Sequence, residues 1–358
     1  MADRHTFVIS IRNRMEEFTS ESLNRWDRLK AVLGYIKRYP IFFGVAVFII
    51  AAIVAVPYLG SKIIEYAPRP SQNIPQSTLA GIVCQKYNRR PIAIMLASDP
   101  SARPLTGISN AEMVFEMPVT PNGVTRLMAV YQCNEPDEIG SIRSARNAFI
   151  DVALGLDAIL AHWGGEEIAH DRLKAGVMDN LDAFVYEEEG VFYRKRGVPG
   201  PHDGFTSYDL MYDQAVESGY RLTTEFEGYP HLKGKKQIGD ERMVVRTYEP
   251  PFNVEWFYNE DVNRYDRFRT GEAEMDKANN RQVQADVVVV IETTGSSTNI
   301  DYYEVDMIGS GNAVVYQNGE EIKGQWTKES VSAPIKFHNE QGEEIKFKPG
   351  IIWVEIII

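Results

Sequence analysis

The chain has 358 residues, 44% of them hydrophobic, and a formal net charge of -12. That is enough chain and apolar content for two packed domains, and it excludes a wholly disordered protein. The charge is uneven, with eight Lys/Arg against five Asp/Glu in residues 1–40 and 30 against 45 in the remainder, a balance that argues against nucleic acid as a partner of the larger part.

In residues 7–36, Phe18, Leu23, Trp26, Leu29, Leu33 and Ile36 fall at helical spacing, so residues 1–40 read as a basic cytosolic segment. The run "IFFGVAVFIIAAIVAVPYLG", residues 41–60, carries no charge and has the length of a bilayer-spanning helix. Lys37 and Arg38 directly before it put the N-terminus in the cytoplasm, giving a single-pass cell-membrane protein whose membrane partner is 41–60 and whose later domains are extracytoplasmic. Cys84 and Cys133 then lie in an oxidising space, where they either pair or stay as two buried thiols. The prolines and polar residues of "APRPSQNIPQSTLAG" make 61–87 a stalk.

Residues 88–239 read as an α/β domain. "RPIAIMLA", "AEMVFEMPV" and "TRLMAVYQC" are strand-like, Ile142, Ala145, Phe149, Val152 and Leu156 share one helical face, and "DAILAHWGG" returns to strand. If 125–132, 142–154 and 157–163 form one βαβ unit, its strands are parallel and their carboxyl ends share a ligand-binding edge. Residues 240–358 read as a mostly β domain, with a hairpin turn at Asn318-Gly319. The expected fold class is therefore an α/β ectodomain with a mostly β C-terminal domain, preceded by one transmembrane helix.

At the shared edge, Arg143, Ser144 and Arg146 meet a helix start, and His162, Gly164 and Gly165 end the next strand, a set suited to a phosphate, a carboxylate or another polar ligand. The alternative is that these arginines pair with carboxylates of the protein itself. Glu116, among apolar neighbours, is the candidate general acid or base, with Arg126 as its structural partner otherwise. The loop "YRKRGVPGPHDGFTSYDL" adds His202 as a possible acid/base or ligand contact, and Thr206 and Ser207 as helix caps or ligand contacts. No metal-site, Walker A, nucleophile-elbow or dinucleotide motif is present, so no metal and no cofactor is expected.

The stretches "NRRPIAIMLASDPSARPLTGISNAEMVFEMPVTPNGVTRLMAVYQ", "GSIRSARNAFIDVALGLDAILAHWGG" and "PHDGFTSYDL", in that order, resemble the N-terminal domain of the YerB-like bacterial lipoprotein family. The stretch from "ADVVVVIETTG" to "GIIWVEI" resembles its C-terminal domain, so the resemblance covers most of residues 88–358. It implies recurring motif positions at Arg103, Gly107, Glu116, Gly123, Thr125, Arg126, Arg143, Ser144, Arg146, His162, Gly164, Gly165, His202, Thr206 and Ser207. The family's aspartate-asparagine pair after the first strand is replaced by Ala97-Ser98, and its lipobox cysteine is absent, with 41–60 expected as the anchor instead. The resulting expectation is an envelope protein binding cell-wall glycan or muropeptide. Its rivals are a glycan-cleaving enzyme that uses Glu116 with His162 or His202, and a scaffold for another envelope protein.

Overall fold

The computed structural model describes residues 25–38, the single positions 40, 41, 44, 51 and 53, and then 75–234, 239, 244–298 and 302–358. The chain divides into two units, Met1–Asn73 and Ile74–Ile358. In the first, helix α1 (Arg25–Arg38) has 14 residues and carries Arg25, Asp27, Arg28, Lys30, Lys37 and Arg38. At about 21 Å it is too short, as well as too charged, for a hydrocarbon layer about 30 Å thick. No helix among the described residues is long and apolar enough to cross a membrane. The transmembrane helix expected at 41–60 is corrected accordingly, and with it the single-pass topology. Apart from residues 41, 44, 51 and 53, that stretch lies outside the described residues, as do 1–24 of the basic segment and 61–74 of the expected stalk. Residues 75–87 fold onto the second unit, where Leu79 and Ala80 are buried and Ser77 Oγ donates to Gln132 Oε1 at 2.7 Å.

In the second unit, the first half of the chain supplies β1 (Ile92–Ala97), β2 (Met113–Pro118), β3 (Thr125–Tyr131), β4 (Ile139–Gly140), β5 (Ile159–His162), β6 (Asn180–Asp182), β7 (Tyr193–Arg194) and β8 (Gly204–Thr206). It also supplies helices α2 (Asn147–Gly155), α3 (Glu167–Lys174), α4 (Ala183–Tyr186) and α5 (Tyr208–Glu217). The second half supplies β9 (Val244–Thr247), β10 (Val254–Asn259), β11 (Arg264–Arg269), β12 (Glu272–Ala273), β13 (Met275–Asp276), β14 (Arg281–Gln282), β15 (Gln284–Ala285), β16 (Val287–Glu292), β17 (Gly295–Ser297), β18 (Tyr303–Val305), β19 (Gly309–Gln317), β20 (Glu320–Lys328), β21 (Lys336–Asn339) and β22 (Ile352–Ile357). Asn318 and Gly319, both at positive φ, make the two-residue turn between β19 and β20, as their sequence leads one to expect.

Ten strands form one mixed sheet in the order β21-β20-β19-β16-β22-β2-β3-β1-β5-β6, so the two halves share a single hydrogen-bonded layer. The join is β22, parallel to β16 on one side and to β2 on the other. The central strands are largely apolar because both faces are covered, with Glu116 in β2 and Glu355 in β22 as the acidic exceptions. Met95, Phe115 and Met128 belong to the core that includes Phe149 and Val152 of α2 and Leu173 of α3. Leu96, Val114 and Tyr131 belong to the opposite core, with Met211 of α5 and Trp256 and Tyr265 of the second sheet, ordered β12-β11-β10-β9. The unit is mostly sheet with few helices, which together with the unsupported span corrects the expected fold class.

The βαβ expectation also changes. β1 runs antiparallel to β3 and parallel to β5, so β3 and β5 are antiparallel, and it is the start of β3 that meets the ends of β1 and β5. The helix expected from residue 142 begins at Asn147, because Ile142 bridges to Leu96 and Ala145 bridges to Gly165, holding 141–146 as extended chain. Gly140 is required where this segment begins, since a Cβ there would meet the Phe205 ring at 2.3 Å.

Cys84 and Cys133 form a disulfide across a sequence separation of 49. Closing a loop of that length removes about 4 kcal/mol of denatured-state chain entropy. Replacing both cysteines by serine is expected to lower the unfolding free energy by up to about 4 kcal/mol, with the sheet signal in circular dichroism retained. Guanidinium unfolding measures this, and superimposable wild-type and variant curves would contradict it.

Candidate functional site

Register builds the site. Ala97 at the end of β1 stands opposite Arg126 at the start of β3. The extended segment 141–146 crosses the same edge: Arg143 N donates to Met95 O at 2.9 Å, Trp163 N donates to Arg143 O at 3.1 Å, and Ala145 N donates to Gly164 O at 2.9 Å. Arg146 is the extended residue that caps α2. The loop at 199–202 closes the edge, with Pro201 O accepting from Arg143 Nη1 at 3.2 Å and His202 Nε2 lying 2.9 Å from Ser101 Oγ. Gly164, at φ 64°, lets the Phe184 ring lie on its backbone, where a Cβ would meet the ring at 2.4 Å.

The edge is cationic and only partly matched. Arg126, 4% exposed, pairs with Asp99 at 3.0 Å. Asp99 lies just beyond Ala97-Ser98, so an acid is present on this loop after all. Arg146 Nε is 3.8 Å from Glu166 Oε2, beyond hydrogen-bonding reach, and its guanidinium lies 5.1 Å from the centroid of the Tyr302 ring. Glu166 Oε1 is used by the N–H of Asn147, at the start of α2. Among the described residues Arg143 makes no ion pair, and its polar side-chain contact is the Pro201 carbonyl. The Nε groups of Arg126, Arg143 and Arg146 are all buried without a hydrogen-bond partner. Burial, then Arg143 and Arg146, lower Arg126 to about 10, so it remains charged at neutral pH. Burial lowers His202 from its ordinary value, Arg143 and Arg126 lower it further against Asp99, and the ring is neutral at pH 7. Chemically, the arrangement offers guanidinium N–H donors and a neutral imidazole to an anion. Ser144 and Gly165 lie on the two paired segments that carry it.

Glu116 lies elsewhere, in the core. It is 0% exposed and accepts from Arg269 Nη1 at 2.9 Å and Nη2 at 2.7 Å, and from Arg267 Nη2 and Thr125 Oγ1. Its partners are thus Arg267 and Arg269, with Arg126 directed to Asp99. Arg267 also donates to Glu355 Oε1 and Glu274 Oε2, both at 2.7 Å, and its guanidinium lies 3.9 Å from the Trp353 ring centroid. Burial alone would raise the Glu274 carboxyl, but Arg269 and Arg267 hold it at about 2.

His162 is also 0% exposed, with Nδ1 2.8 Å from Gly164 O and Nε2 3.2 Å from Asn180 Oδ1. Thr206 Oγ1 donates to Val191 O, and Ser207 caps α5 by accepting from Leu210 N. The structure therefore gathers Arg126, Arg143, Arg146 and His202, and leaves Glu116, His162, Thr206 and Ser207 on internal partners. Sequence reasoning missed Asp99, Ser101 and Glu166 as members of the edge. The acid in "SDPSARP", directly after a strand, was the available signal for Asp99. A separate cavity of about 340 Å³ is lined by Glu112, Asn134, Arg264 and Asp286. Its acids serve the fold: Glu112 accepts from the N–H groups of Gln132, Cys133 and Asn134, and Asp286 pairs with Lys348 and Arg264.

Residues 79–221 match the family described as protein of unknown function (DUF3048) N-terminal domain, and residues 244–354 match the corresponding C-terminal domain. The chain is 27% identical over 275 residues to "Putative lipoprotein YerB" of Bacillus subtilis (strain 168), covering 75% of this chain and 81% of that protein. The crystal structure of YerB protein from Bacillus subtilis has the same fold, with a TM-score of 0.69 at 24% identity over 79% of this chain and 96% of that one.

Removing one partner of the buried ion network leaves uncompensated charge, so Glu116→Gln is expected to lose about 3–5 kcal/mol in urea unfolding; an unchanged midpoint would refute the assignment. The depressed Glu274 carboxyl contributes stability that is present above its usual value of 4.5 and lost as pH falls toward about 2. Acid unfolding of Glu274→Gln should accordingly show a shallower loss across that window than wild type.

Proposed function

We propose that this chain, which belongs to the DUF3048 family of YerB-like proteins of unknown function, is an extracytoplasmic envelope protein that binds an anionic group of an envelope polymer at the arginine-lined edge. The observation that carries the reading is the set of buried, unpartnered Nε groups on Arg126, Arg143 and Arg146. A buried donor without a partner costs about 1–3 kcal/mol, more when charged, and a bound anion removes that cost. The Cys84–Cys133 disulfide supports an oxidising compartment, as does a relative bearing a lipoprotein name. Both cysteines of the chain are consumed by that bond, so neither carries a lipid.

Cell-wall glycan or muropeptide is the ligand to test first. Purified full chain incubated with isolated bacterial cell wall should sediment with it, and Arg143→Gln with Arg146→Gln should weaken retention at least about tenfold, the scale of one lost charge-assisted contact. Equal retention of wild type and variant would sink the proposal. Crosslinking in cells to a defined envelope protein, without wall binding, would favour a scaffold instead.

A further inference from the structure

The chemical class of the anion is legible in how the donors are distributed. Three segments bring them: the start of β3 with Arg126, the extended crossing 141–146 with Arg143 and Arg146, and the loop ending at His202. A carboxylate is planar, with two oxygens that a single guanidinium fork satisfies. A tetrahedral oxyanion presents its oxygens in several directions and suits donors that arrive from different segments.

Charge narrows the choice. Asp99 offsets Arg126 and Glu166 lies against Arg146, while Arg143 has no carboxylate partner among the described residues. With His202 neutral, one positive charge is left over, which matches a monoanion. The start of α2 adds nothing to this count, because its first N–H is already taken by Glu166 Oε1. Arg126 belongs to the same set: it is more than nine-tenths buried, and beyond its bond to Asp99 its Nε has no partner.

We infer that the site takes a phosphodiester-type oxyanion, with Arg143 as its principal fork and Arg126 and Arg146 flanking it. This rests on the anion-binding reading above and specifies its ligand. A phosphodiester borne on a polymer or lipid and a free phosphate share this chemistry, and the probes below separate them.

The test is titration calorimetry of the full chain at neutral pH and matched ionic strength, with dimethyl phosphate, inorganic phosphate and acetate as probes. The expected result is binding of dimethyl phosphate that is tighter than that of acetate. Arg143→Gln should weaken it at least about tenfold and Arg143→Lys should fall between, because lysine keeps the charge but loses the fork. Ligand-free melting should not fall in either variant, since Arg143 is only half-buried and holds a single carbonyl. Dimethyl phosphate binding more tightly than inorganic phosphate assigns a diester on a larger molecule, and the reverse order assigns free phosphate. Acetate binding as tightly as the phosphates overturns the tetrahedral class but leaves the anion reading standing. If none of the three binds, both fall.

Discussion

Placing β22 beside β2 sets Glu355 directly against Glu116 in the interior of a sheet, and everything else in the second unit has to accommodate that pair. Two carboxylates on neighbouring strands repel, and at 0% exposure neither has water to screen it. The solution is Arg267, delivered by β11 of the second sheet, which donates to both acids while Arg269 completes Glu116. The network is thus the electrostatic condition for the two halves of the chain to share one layer. It also helps fix where the second sheet lies, because the guanidinium of Arg267 packs against the rings of both Trp353 and Trp256.

The same network reaches the candidate site through hydrogen bonds. Glu116 takes the Thr125 hydroxyl, the Thr125 carbonyl takes Ser98 Oγ, and the Ser98 carbonyl takes the guanidinium of Arg103. That chain anchors the loop after β1, the loop that carries Asp99 to Arg126 and Ser101 to His202. Glu116 therefore serves the site at a distance, as part of what holds its loop in register. A lone glutamate in an apolar strand invites a catalytic reading, but burial with matched cations gives the more economical one.

Local pattern revealed what local forces decide. The strands at 92–97, 113–118 and 125–131 and the Asn318-Gly319 turn follow from alternation, apolar runs and turn chemistry. Pairing between distant segments was not legible. Arg267 and Arg269 lie more than 150 residues from Glu116, and no spacing rule connects them. The segment 141–146 misled because Ile142, Ala145 and Phe149 fit a helical face, whereas bridges to Leu96 and Gly165 keep the chain extended until Asn147. That correction also removes a physical objection to the site. Arginine within the first turn of a helix opposes the dipole, but Arg143 lies ahead of the helix and Arg146 is its cap, with the carboxylate of Glu166 on the first N–H. The hydrophobic run at 41–60 shows the limit from the other side: its composition suggested a span, and the described helices contain none.

Two of the arginine clusters among the described residues are held in contrasting ways. Around Arg267 and Arg269 the carboxylates are supplied from within, the Arg267 guanidinium lies against aromatic rings, and the Nε groups of both donate to Glu274. Around Arg126, Arg143 and Arg146 the internal acids are fewer, one of them is too distant to bond, and all three Nε groups are idle. Arg267 and Arg269 show that internal partners can satisfy buried guanidinium groups in this fold. The three idle donors at one sheet edge, where burial and then the neighbouring arginines lower Arg126, are what the proposed anion would satisfy.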